Sequence, residues 1–163
     1  MKTFLTLLGN LEKREEALHR VASFCHGRVL DVATGSGYLV RKINAKVICL
    51  DISQEIKKLG YPCVVADARK MPFKSNAFDV VATWSALVHI PEWKLVVKEM
   101  FRVAKELVIT AEPNNKLATL AFRDFKCKHE INIEEIIKEF EKYGKCETED
   151  KDFITIIKGY KWK

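Results

Sequence analysis

The residues best suited to chemistry form a glycine-rich segment, Asp31–Gly37 (DVATGSG), directly after a short apolar run. Gly35 and Gly37 permit a tight turn and a close approach of a ligand to the backbone. Asp31 places a carboxylate at the start of the turn. A helix that follows such a turn points its N-terminal amides at the bound group. The segment therefore predicts a cofactor-binding loop.

Two cofactors use such a loop, and the flanking residues separate them. A dinucleotide fingerprint that starts at Gly35 requires a third glycine at position 40, where this chain has Val40. A fingerprint that starts at Ala33 places Ser36 at a glycine position. A pyrophosphate gains little from Asp31, whereas S-adenosylmethionine carries an ammonium and a sulfonium that an acid attracts. The loop favours S-adenosylmethionine over NAD.

Two further acids follow later strand-like runs. Asp51 ends a second run, where a carboxylate accepts hydrogen bonds from both ribose hydroxyls. Asp67 ends a third run and is placed to accept a hydrogen bond from the adenine amino group, with Ile52 and Ala68 on either side of the ring. A single aspartate after a strand is often only a turn or helix cap. Three in succession indicate a nucleoside site.

The positions of these residues follow from the elements around them. Continuous apolar runs alternate with helical patterns, which predicts a buried parallel sheet with helices on both faces. The strands are expected at 28–32, 46–51, 63–67, 78–83 and 107–111, and the helices at 11–24, 38–43, 53–59, 91–104 and 133–143. Two final runs, 145–149 and 153–160, predict an antiparallel hairpin. The fold class is α/β with a doubly wound, mostly parallel sheet.

Composition sets the broad class. The chain has 163 residues, 48% of them hydrophobic and 31% charged, which predicts one soluble domain. Neither a membrane span nor a signal peptide is expected. Five scattered cysteines without a C-x-x-C pair predict neither disulfides nor a metal site, and favour a cytoplasmic location. The net charge of +6 favours a polyanionic partner such as RNA, although the same Lys-rich composition occurs in heat-adapted proteins.

The chain resembles the class I, Rossmann-like, S-adenosylmethionine-dependent methyltransferases, in the subgroup of type 11 methyltransferase domains. The resemblance covers residues 28–114 and consists of four segments: VLDVATGSGYLV (29–40), VICLDIS (47–53), VVADARKMPFKSNAFDVVATWSALVHI (64–90) and LVITAEPN (107–114). It implies a seven-stranded sheet with a reversed final hairpin. It also implies one domain over 1–163, with an N-terminal helical segment (1–27), a cofactor-binding core (28–114) and a substrate-side segment with the C-terminal helix and hairpin (115–163).

The resemblance implies a role for each matching residue. Asp31, Ala33, Thr34, Gly35, Ser36 and Gly37 line the methionine moiety, and the family's first loop glycine is Ala33 here. Asp51 and Ile52 meet the ribose and adenine, while Asp67 and Ala68 meet the adenine edge. The residues that pass beneath the methionine end are Thr83, Trp84 and Ser85.

The catalytic residues are less well determined. His89 is the candidate general base, and its alternative role is packing or capping at a helix edge. Trp84 either stacks on a planar substrate or forms a wall of the cofactor pocket. The Glu112–Asn114 segment is expected to face the site, with a simple strand-to-loop turn as the alternative.

Three functions follow from these residues. The sequence slightly favours a methyltransferase that acts on a macromolecule such as RNA or tRNA, because residues 115–131 are basic and include Arg123, Phe125 and Lys126. The alternatives are a methyltransferase of a small metabolite and a non-catalytic cofactor-binding subunit. By analogy with relatives that need a small activator protein, an edge strand at 63–66 is a candidate docking site.

Overall fold

The computed structural model of the chain describes residues 2–114, 132–151 and 153–162, with side chains from residue 11 onward. Its helices are α1 (Lys2–Ser23), α2 (Trp93–Val103) and α3 (Ile133–Glu141). Its strands are β1 (Arg28–Val32), β2 (Lys46–Asp51), β3 (Cys63–Val65), β4 (Phe78–Trp84), β5 (Ala104–Pro113), β6 (Gly144–Lys151) and β7 (Ile154–Lys161). Short 3₁₀ turns occupy Val40–Lys42, Gln54–Leu59 and Leu87–His89.

The seven strands form one sheet in the order β3-β2-β1-β4-β5-β7-β6. The first five strands are parallel, and β7 runs antiparallel to both β5 and β6. The strand order reverses between β1 and β4, and the crevice at such a reversal is where open α/β sheets bind ligands. The predicted fold class and the reversed final hairpin are confirmed.

Helices cover both faces of the sheet, as the continuous apolar strands predict. On one face, Leu30 and Val32 of β1 pack in a cluster with α2 and α3. On the other face, Val29 packs in a cluster with Leu18 and Val21 of α1. Because β1 is buried on both sides, its carboxyl end is held rigidly at the centre of the molecule.

Several helix boundaries differ from those predicted. The first helix begins at Lys2 instead of residue 11. No proline interrupts residues 2–10, and the single glycine, Gly9, costs a helix only about 1 kcal/mol. The helices expected at 38–43 and 53–59 are only the 3₁₀ turns Val40–Lys42 and Gln54–Leu59.

Charged and aromatic side chains fix α1 against the C-terminal hairpin. Arg20 donates two hydrogen bonds to Glu149, at 2.8 and 3.0 Å, and Lys158 contacts the same carboxylate at 2.9 Å. Both cations also lie over the ring of Phe24. The hydrogen bonds from Arg20 are the main reason that the pKa of Glu149 falls to about 2. The network therefore holds α1 in one orientation across the sheet.

Side chains of α2 and α3 pack closely against the hairpin at Gly159 of β7. A Cβ atom added there would lie 2.4 Å from Cζ of Phe101 and 2.9 Å from Cδ1 of Phe140. Gly159→Ala is expected to lower the free energy of unfolding by about 1–3 kcal/mol, because overpacking displaces both rings. Denaturant unfolding measures the change. Gly159→Ala combined with Phe140→Leu should recover part of the loss, and an unchanged midpoint for Gly159→Ala alone would contradict the packing described.

Candidate functional site

A cavity of about 570 Å³ opens at the carboxyl ends of the parallel strands, next to the reversal in strand order. This volume lies within the range of about 300–1,000 Å³ that is typical of small-molecule and cofactor sites. Residues from the carboxyl ends of β1, β2, β4 and β5 and from the loops after β1, β2, β3 and β4 meet there, together with one residue of α1. The lining residues are Arg14, Asp31, Ala33, Thr34, Gly35, Ser36, Tyr38, Leu39, Leu50, Asp51, Ile52, Asp67, Ala68, Arg69, Trp84, Ser85, Ala86, His89, Ile90, Pro91 and Pro113.

Most of the predicted site residues lie together in this cavity, and two do not line it. Gly37 shapes the loop behind the cavity, with φ of +78° and an amide that donates to the carbonyl of Thr34 at 2.9 Å. Thr83 is fully buried in β4, and its hydroxyl donates to the carbonyl of Val32 at 2.7 Å. Thr83 therefore holds the end of β1 from the neighbouring strand β4.

The loop after β1 adopts the left-handed backbone that its glycines suggest. Gly35 has φ of +53°, and Ala33 has the same value. A residue with a Cβ atom pays about 1–2 kcal/mol for that conformation. Ala33 thus occupies a glycine-like position at some cost to stability, which explains why the family's pattern has glycine there.

Asp31 carries the most unusual group of the cavity. Its residue is only 1% exposed, and its Oδ2 atom has no hydrogen-bond partner within the described part of the chain. Burial raises the pKa of Asp31 to about 7, and the neighbouring carboxylate of Asp51 adds to the rise. A buried, unsatisfied carboxylate in a ligand-sized cavity is matched by a cation that donates hydrogen bonds.

Asp51 links the loops after β1 and β2. Its Oδ2 accepts a hydrogen bond from the Gly35 amide at 2.9 Å, and its Oδ1 accepts one from the Ser53 amide at 2.9 Å. Each carboxylate oxygen retains a second lone pair, so hydroxyl donors can still bind. The adjacent Ile52 is 70% exposed and presents an apolar surface to the cavity.

Asp67 is engaged by an arginine that the sequence analysis did not single out. Arg69 donates to the Asp67 carboxylate from its amide at 2.8 Å and from its Nη2 at 2.7 Å. Arg69 also donates from Nη1 to Glu92 at 2.9 Å. The hydrogen bonds from Arg69 lower the pKa of Asp67, so this acid is ionised at neutral pH.

A further part of the cavity lining is mostly apolar and is formed by the turn after β4. Ser85 begins the turn with φ of +50°, and its amide donates to the carbonyl of Ala111 at 2.8 Å. His89 lies at the end of the turn. The remaining lining residues in this part are Trp84, Ala86, Ile90, Pro91 and Pro113.

A second buried carboxylate supports this turn from beneath. Glu112 has no exposed surface, and its Oε1 accepts from the Thr110 hydroxyl at 2.7 Å and from the Leu87 amide at 3.2 Å. Burial raises the pKa of Glu112 to about 7. Of the expected segment Glu112–Asn114, only Pro113 lines the cavity.

Arg14 and Tyr38 also line the cavity and were not predicted. The Arg14 guanidinium carbon lies 4.3 Å from the centre of the Tyr38 ring. Nothing in the local sequence relates a residue of the first helix to a loop that starts 17 positions later. The predicted contacts of Arg123, Phe125 and Lys126 lie outside the described residues.

Metal sites and membrane-spanning helices are both absent from the described ranges. No group of three or more histidine, cysteine or acidic side chains is arranged to hold a metal ion in them. No helix in the same ranges is long and apolar enough to cross a membrane.

Comparison with known proteins identifies the family to which this chain belongs. Residues 30–109 match the profile of the family described as "Methyltransferase domain". The chain belongs to the class I methyltransferases. The resemblance noted in the sequence is thereby confirmed, and the cofactor of this family is S-adenosyl-L-methionine.

Individual relatives have modest sequence identity to this chain. The methyltransferase chain is 32% identical over 118 residues to a ubiquinone/menaquinone biosynthesis C-methyltransferase, UbiE, of Pseudomonas savastanoi pv. phaseolicola, covering 58% of this chain and 46% of that protein. It therefore spans about half the length of the curated relatives it matches.

Two solved structures share the methyltransferase fold. Magnesium protoporphyrin IX methyltransferase (ChlM) from Synechocystis, solved with bound SAM, superposes with a TM-score of 0.66 at 15% identity and covers 92% of this chain and 80% of that one. A methyltransferase in complex with the Haloferax volcanii Trm112 activator superposes with a TM-score of 0.66 at 15% identity, over 82% and 81% of the two chains. At these identities the likeness concerns the fold.

The methyltransferase cavity fits its cofactor on two structural observations. The unsatisfied Oδ2 of Asp31 matches an ammonium group, since that group donates hydrogen bonds and is positively charged. The exposed Ile52 matches an aromatic ring, because it offers an apolar face inside the cavity. The two features belong to different loops of the same cavity.

Proposed function

We propose that this chain transfers a methyl group from S-adenosylmethionine to a small, planar, conjugated acceptor. The observation that carries the proposal is the mixed lining of the cavity, which combines polar residues that include the unsatisfied Asp31 carboxylate (the polar end) with apolar residues around Trp84 (the apolar end). The polar end suits the cofactor, and the apolar end suits an acceptor with a flat, poorly hydrated surface.

Each residue of the polar end has one proposed task. Asp31 binds the ammonium group of the cofactor, and Asp51 accepts hydrogen bonds from the ribose hydroxyls. Asp67 accepts one from the adenine amino group, while Ile52 and Ala68 contact the two faces of the ring. The backbone of Ala33, Thr34, Gly35 and Ser36 follows the methionine moiety. When bound, S-adenosylmethionine supplies an electrophilic methyl group on a sulfonium centre.

The apolar end positions the acceptor. Trp84 stacks on its flat face, and Ile90, Pro91 and Pro113 exclude water, which raises the reactivity of a nucleophile held close to the donor. His89 accepts a proton from the attacking group as a general base. Ser85, which begins the same turn, fixes the direction in which Trp84 and His89 face the cavity.

The charges of the cavity support a small acceptor over RNA. Among the described lining residues, three acids (Asp31, Asp51 and Asp67) face two arginines (Arg14 and Arg69), so the cavity lacks the positive charge that phosphates require. The net charge of +6 still favours a polyanion at another surface. The names of UbiE and ChlM refer to quinone and porphyrin molecules, which are small and conjugated.

A binding test separates this proposal from dinucleotide chemistry. S-adenosylhomocysteine at 100 times its Kd should stabilise the folded protein by about 2.7 kcal/mol, whereas NAD should leave the melting temperature unchanged. Stabilisation by NAD alone would overturn the proposal. Stabilisation by neither ligand would favour a chain that requires a partner.

A transfer test then separates the acceptor classes. Labelled S-adenosylmethionine is incubated with hydroquinones, aromatic carboxylic acids and bulk tRNA in parallel, and label is expected only in a small aromatic product. Label in tRNA would replace the proposal by a macromolecular acceptor. Cofactor binding without transfer to any of these acceptors would indicate a non-catalytic subunit.

The proposal also includes a small activator protein as a partner and a cytoplasmic location. Strand β3 has three residues and pairs only with β2 among the described strands, so its outer edge is open to a small activator protein. Its Val65 is 37% exposed. A cytoplasmic location is supported by the four described cysteines, which are all free thiols: Cys25, Cys49, Cys63 and Cys146.

A further inference from the structure

An open groove lies at the edge of the sheet opposite to the cavity. It has a volume of about 390 Å³ and is lined by Asn76, Lys105, Lys161 and Trp162. Lys105 lies near the start of β5, and Lys161 ends β7, which runs antiparallel to β5. Pro113, which lines the cavity, lies eight residues beyond Lys105 on β5, or about 26 Å at 3.3 Å per residue. The groove is therefore separate from the cofactor cavity.

Lys161 brings to this groove a positive charge that no described acid offsets. Its Nζ donates to the side-chain oxygen of Asn76 at 2.6 Å and to the carbonyl of Ala104 at 3.0 Å. Both acceptors are neutral, and burial lowers the pKa of Lys161. An ammonium has three N–H donors, so one donor remains. A half-buried cation without a counter-charge is matched by an anion.

Trp162 supplies an aromatic face next to this cation. Its residue is 61% exposed, although tryptophan is highly buried on average in folded proteins. Its amide donates to the carbonyl of Tyr143 at 3.3 Å, which ties its backbone to the segment that follows α3. Exposed aromatic side chains of this kind stack on nucleobases, because every base has a π face. Lys161 and Trp162 thus offer a positive charge and a stacking surface in one groove.

The charge of the surrounding edge favours a polyanion over a single small anion. At this edge lie the first two residues of β1 to β6 and the last two of β7, and only Asp79 among them is acidic. The basic ones are Arg28, Lys46, Lys105, Lys145 and Lys161. Asp79 pairs with Lys105 and Glu147 pairs with Lys145, each at 3.0 Å, and Glu106 lies beside His26. A net positive charge remains after these acids are included, and such a surface attracts the phosphates of nucleic acids.

From these observations we infer that the groove binds single-stranded nucleic acid, with one base stacked on Trp162 and a neighbouring phosphate paired with Lys161. The open shape of the groove admits a strand that continues past it. Stacking on Trp162 tolerates any base, so the contact does not depend on sequence. The inference is independent of the proposed function, because the bound strand is not the methyl acceptor.

Two strands that differ only in their bases test the stacking contact. Fluorescence anisotropy at about 0.1 M salt measures the affinity for a ten-nucleotide thymidylate strand and for the same backbone without bases. Wild type should bind the thymidylate strand about 10-fold more tightly than the abasic one. Trp162→Ala should weaken thymidylate binding about 5- to 100-fold and leave abasic binding within about twofold of wild type. Trp162→Phe should retain most of the affinity, because it keeps an aromatic face.

Lys161→Met tests the phosphate contact. It should weaken the binding of both strands about fivefold and reduce the dependence of log affinity on log salt by about 0.7. Because Lys161 also holds Asn76 and Ala104, Lys161→Arg is the second variant, which keeps the charge and should recover both affinities. The matched control is Lys46→Ala, which removes an exposed cation three strands away from β5, or about 14 Å. That distance exceeds the Debye length of about 10 Å, so the control should bind both strands within about twofold of wild type.

Equal wild-type affinity for the two strands would overturn the inference, because it indicates charge without stacking. Full thymidylate affinity of Trp162→Ala, or an equal loss in Lys46→Ala and Lys161→Met, would also overturn it. So would displacement of the strand by saturating S-adenosylhomocysteine, which would place the strand in the cavity. Binding of S-adenosylhomocysteine without binding of either strand would overturn the inference alone. Binding of the thymidylate strand without binding of S-adenosylhomocysteine would support the inference and count against the proposed function.

Discussion

Replacing Asp31 with asparagine is expected to stabilise the ligand-free protein at pH 8 and, at the same time, to weaken cofactor binding at least 100-fold. Asp31 is buried with an unsatisfied oxygen, and burial raises its pKa to about 7 from an ordinary value of 3.8. Asparagine has nearly the same shape and carries no charge. The variant therefore removes the cost of burying an ionised carboxylate.

The pH dependence of this effect has a definite sign. Between about pH 4 and pH 7 the folded protein keeps the proton of Asp31 that the unfolded chain has released, so stability falls as the pH rises through this window. At pH 8 the accumulated cost is on the order of 4 kcal/mol, at 1.36 kcal/mol for each pKa unit. Below about pH 3, where both states hold the proton, Asp31→Asn and wild type should differ little.

Cofactor binding reverses this penalty, because an ammonium beside Asp31 favours the ionised form and lowers its pKa. The affinity of the wild type for S-adenosylhomocysteine should therefore rise between pH 5.5 and pH 8. Asp31→Asn should bind at least 100-fold more weakly at pH 8. Thermal melts and isothermal titration at both pH values measure the two effects.

Asp79→Asn is the matched control, because the hydrogen bond from the Arg28 amide lowers the pKa of Asp79. Its ionised form stabilises the fold, so its replacement should lower stability at pH 8. If Asp31→Asn were less stable than wild type at pH 8, ionised Asp31 would not destabilise the ligand-free protein. That result would contradict the proposal that this charge is kept for cofactor binding.

Asp51→Ala is expected to weaken S-adenosylhomocysteine binding about 100- to 1,000-fold. The carboxylate is proposed to accept two ribose hydroxyls, and hydrogen bonds to a charged group contribute about 1.5–3 kcal/mol each. The substitution also removes the acceptor of the Gly35 amide, which holds the loop after β1 against β2. Both losses weaken the binding of S-adenosylhomocysteine. The thermal stabilisation by S-adenosylhomocysteine measures the result.

Glu55→Ala provides the control for Asp51→Ala. Glu55 lies four residues later, has a side chain that is 72% exposed and pairs only locally with Lys58 among the described contacts. Its removal changes the charge near the cavity by the same amount and should leave the affinity unchanged. If S-adenosylhomocysteine stabilised Asp51→Ala as much as wild type, the proposed contact of Asp51 with the ribose hydroxyls would be contradicted.

The sequence predicted the sheet and most of the polar end because both depend on short, local patterns. Apolar runs that end in Asp31, Asp51 and Asp67 specify parallel strands, and parallel strands gather their carboxyl ends at one edge. All three acids accordingly line one cavity. The distinction between an α-helix and the 3₁₀ turn at Val40–Lys42 was not accessible, because over six residues the two have nearly the same apolar period.

The residues that the sequence did not predict depend on tertiary contacts. Arg14 lines the cavity because α1 packs across the sheet, where its apolar face and the ion pair of Arg20 with Glu149 hold it. Arg69 joins the cavity through its pairing with Asp67 and Glu92, which no spacing rule encodes. The preference for a macromolecular acceptor followed from the basic residues at 115–131 and from the net charge, and neither of these reports the charge inside one cavity.

The open edge at β3 has a consequence for the order in which the protein opens. This flank is covered by 3₁₀ turns instead of full helices, and its apolar cluster contains only three buried residues: Val40, Cys49 and Ile56. Segments with few buried contacts undergo local unfolding at the lowest free energy and exchange their amide hydrogens first. The proposed adenine contacts belong to this weakest cooperative unit. If the proposed adenine contacts form, bound cofactor adds apolar contacts to this unit, and we expect amide exchange across β2 and β3 to slow when S-adenosylhomocysteine is added.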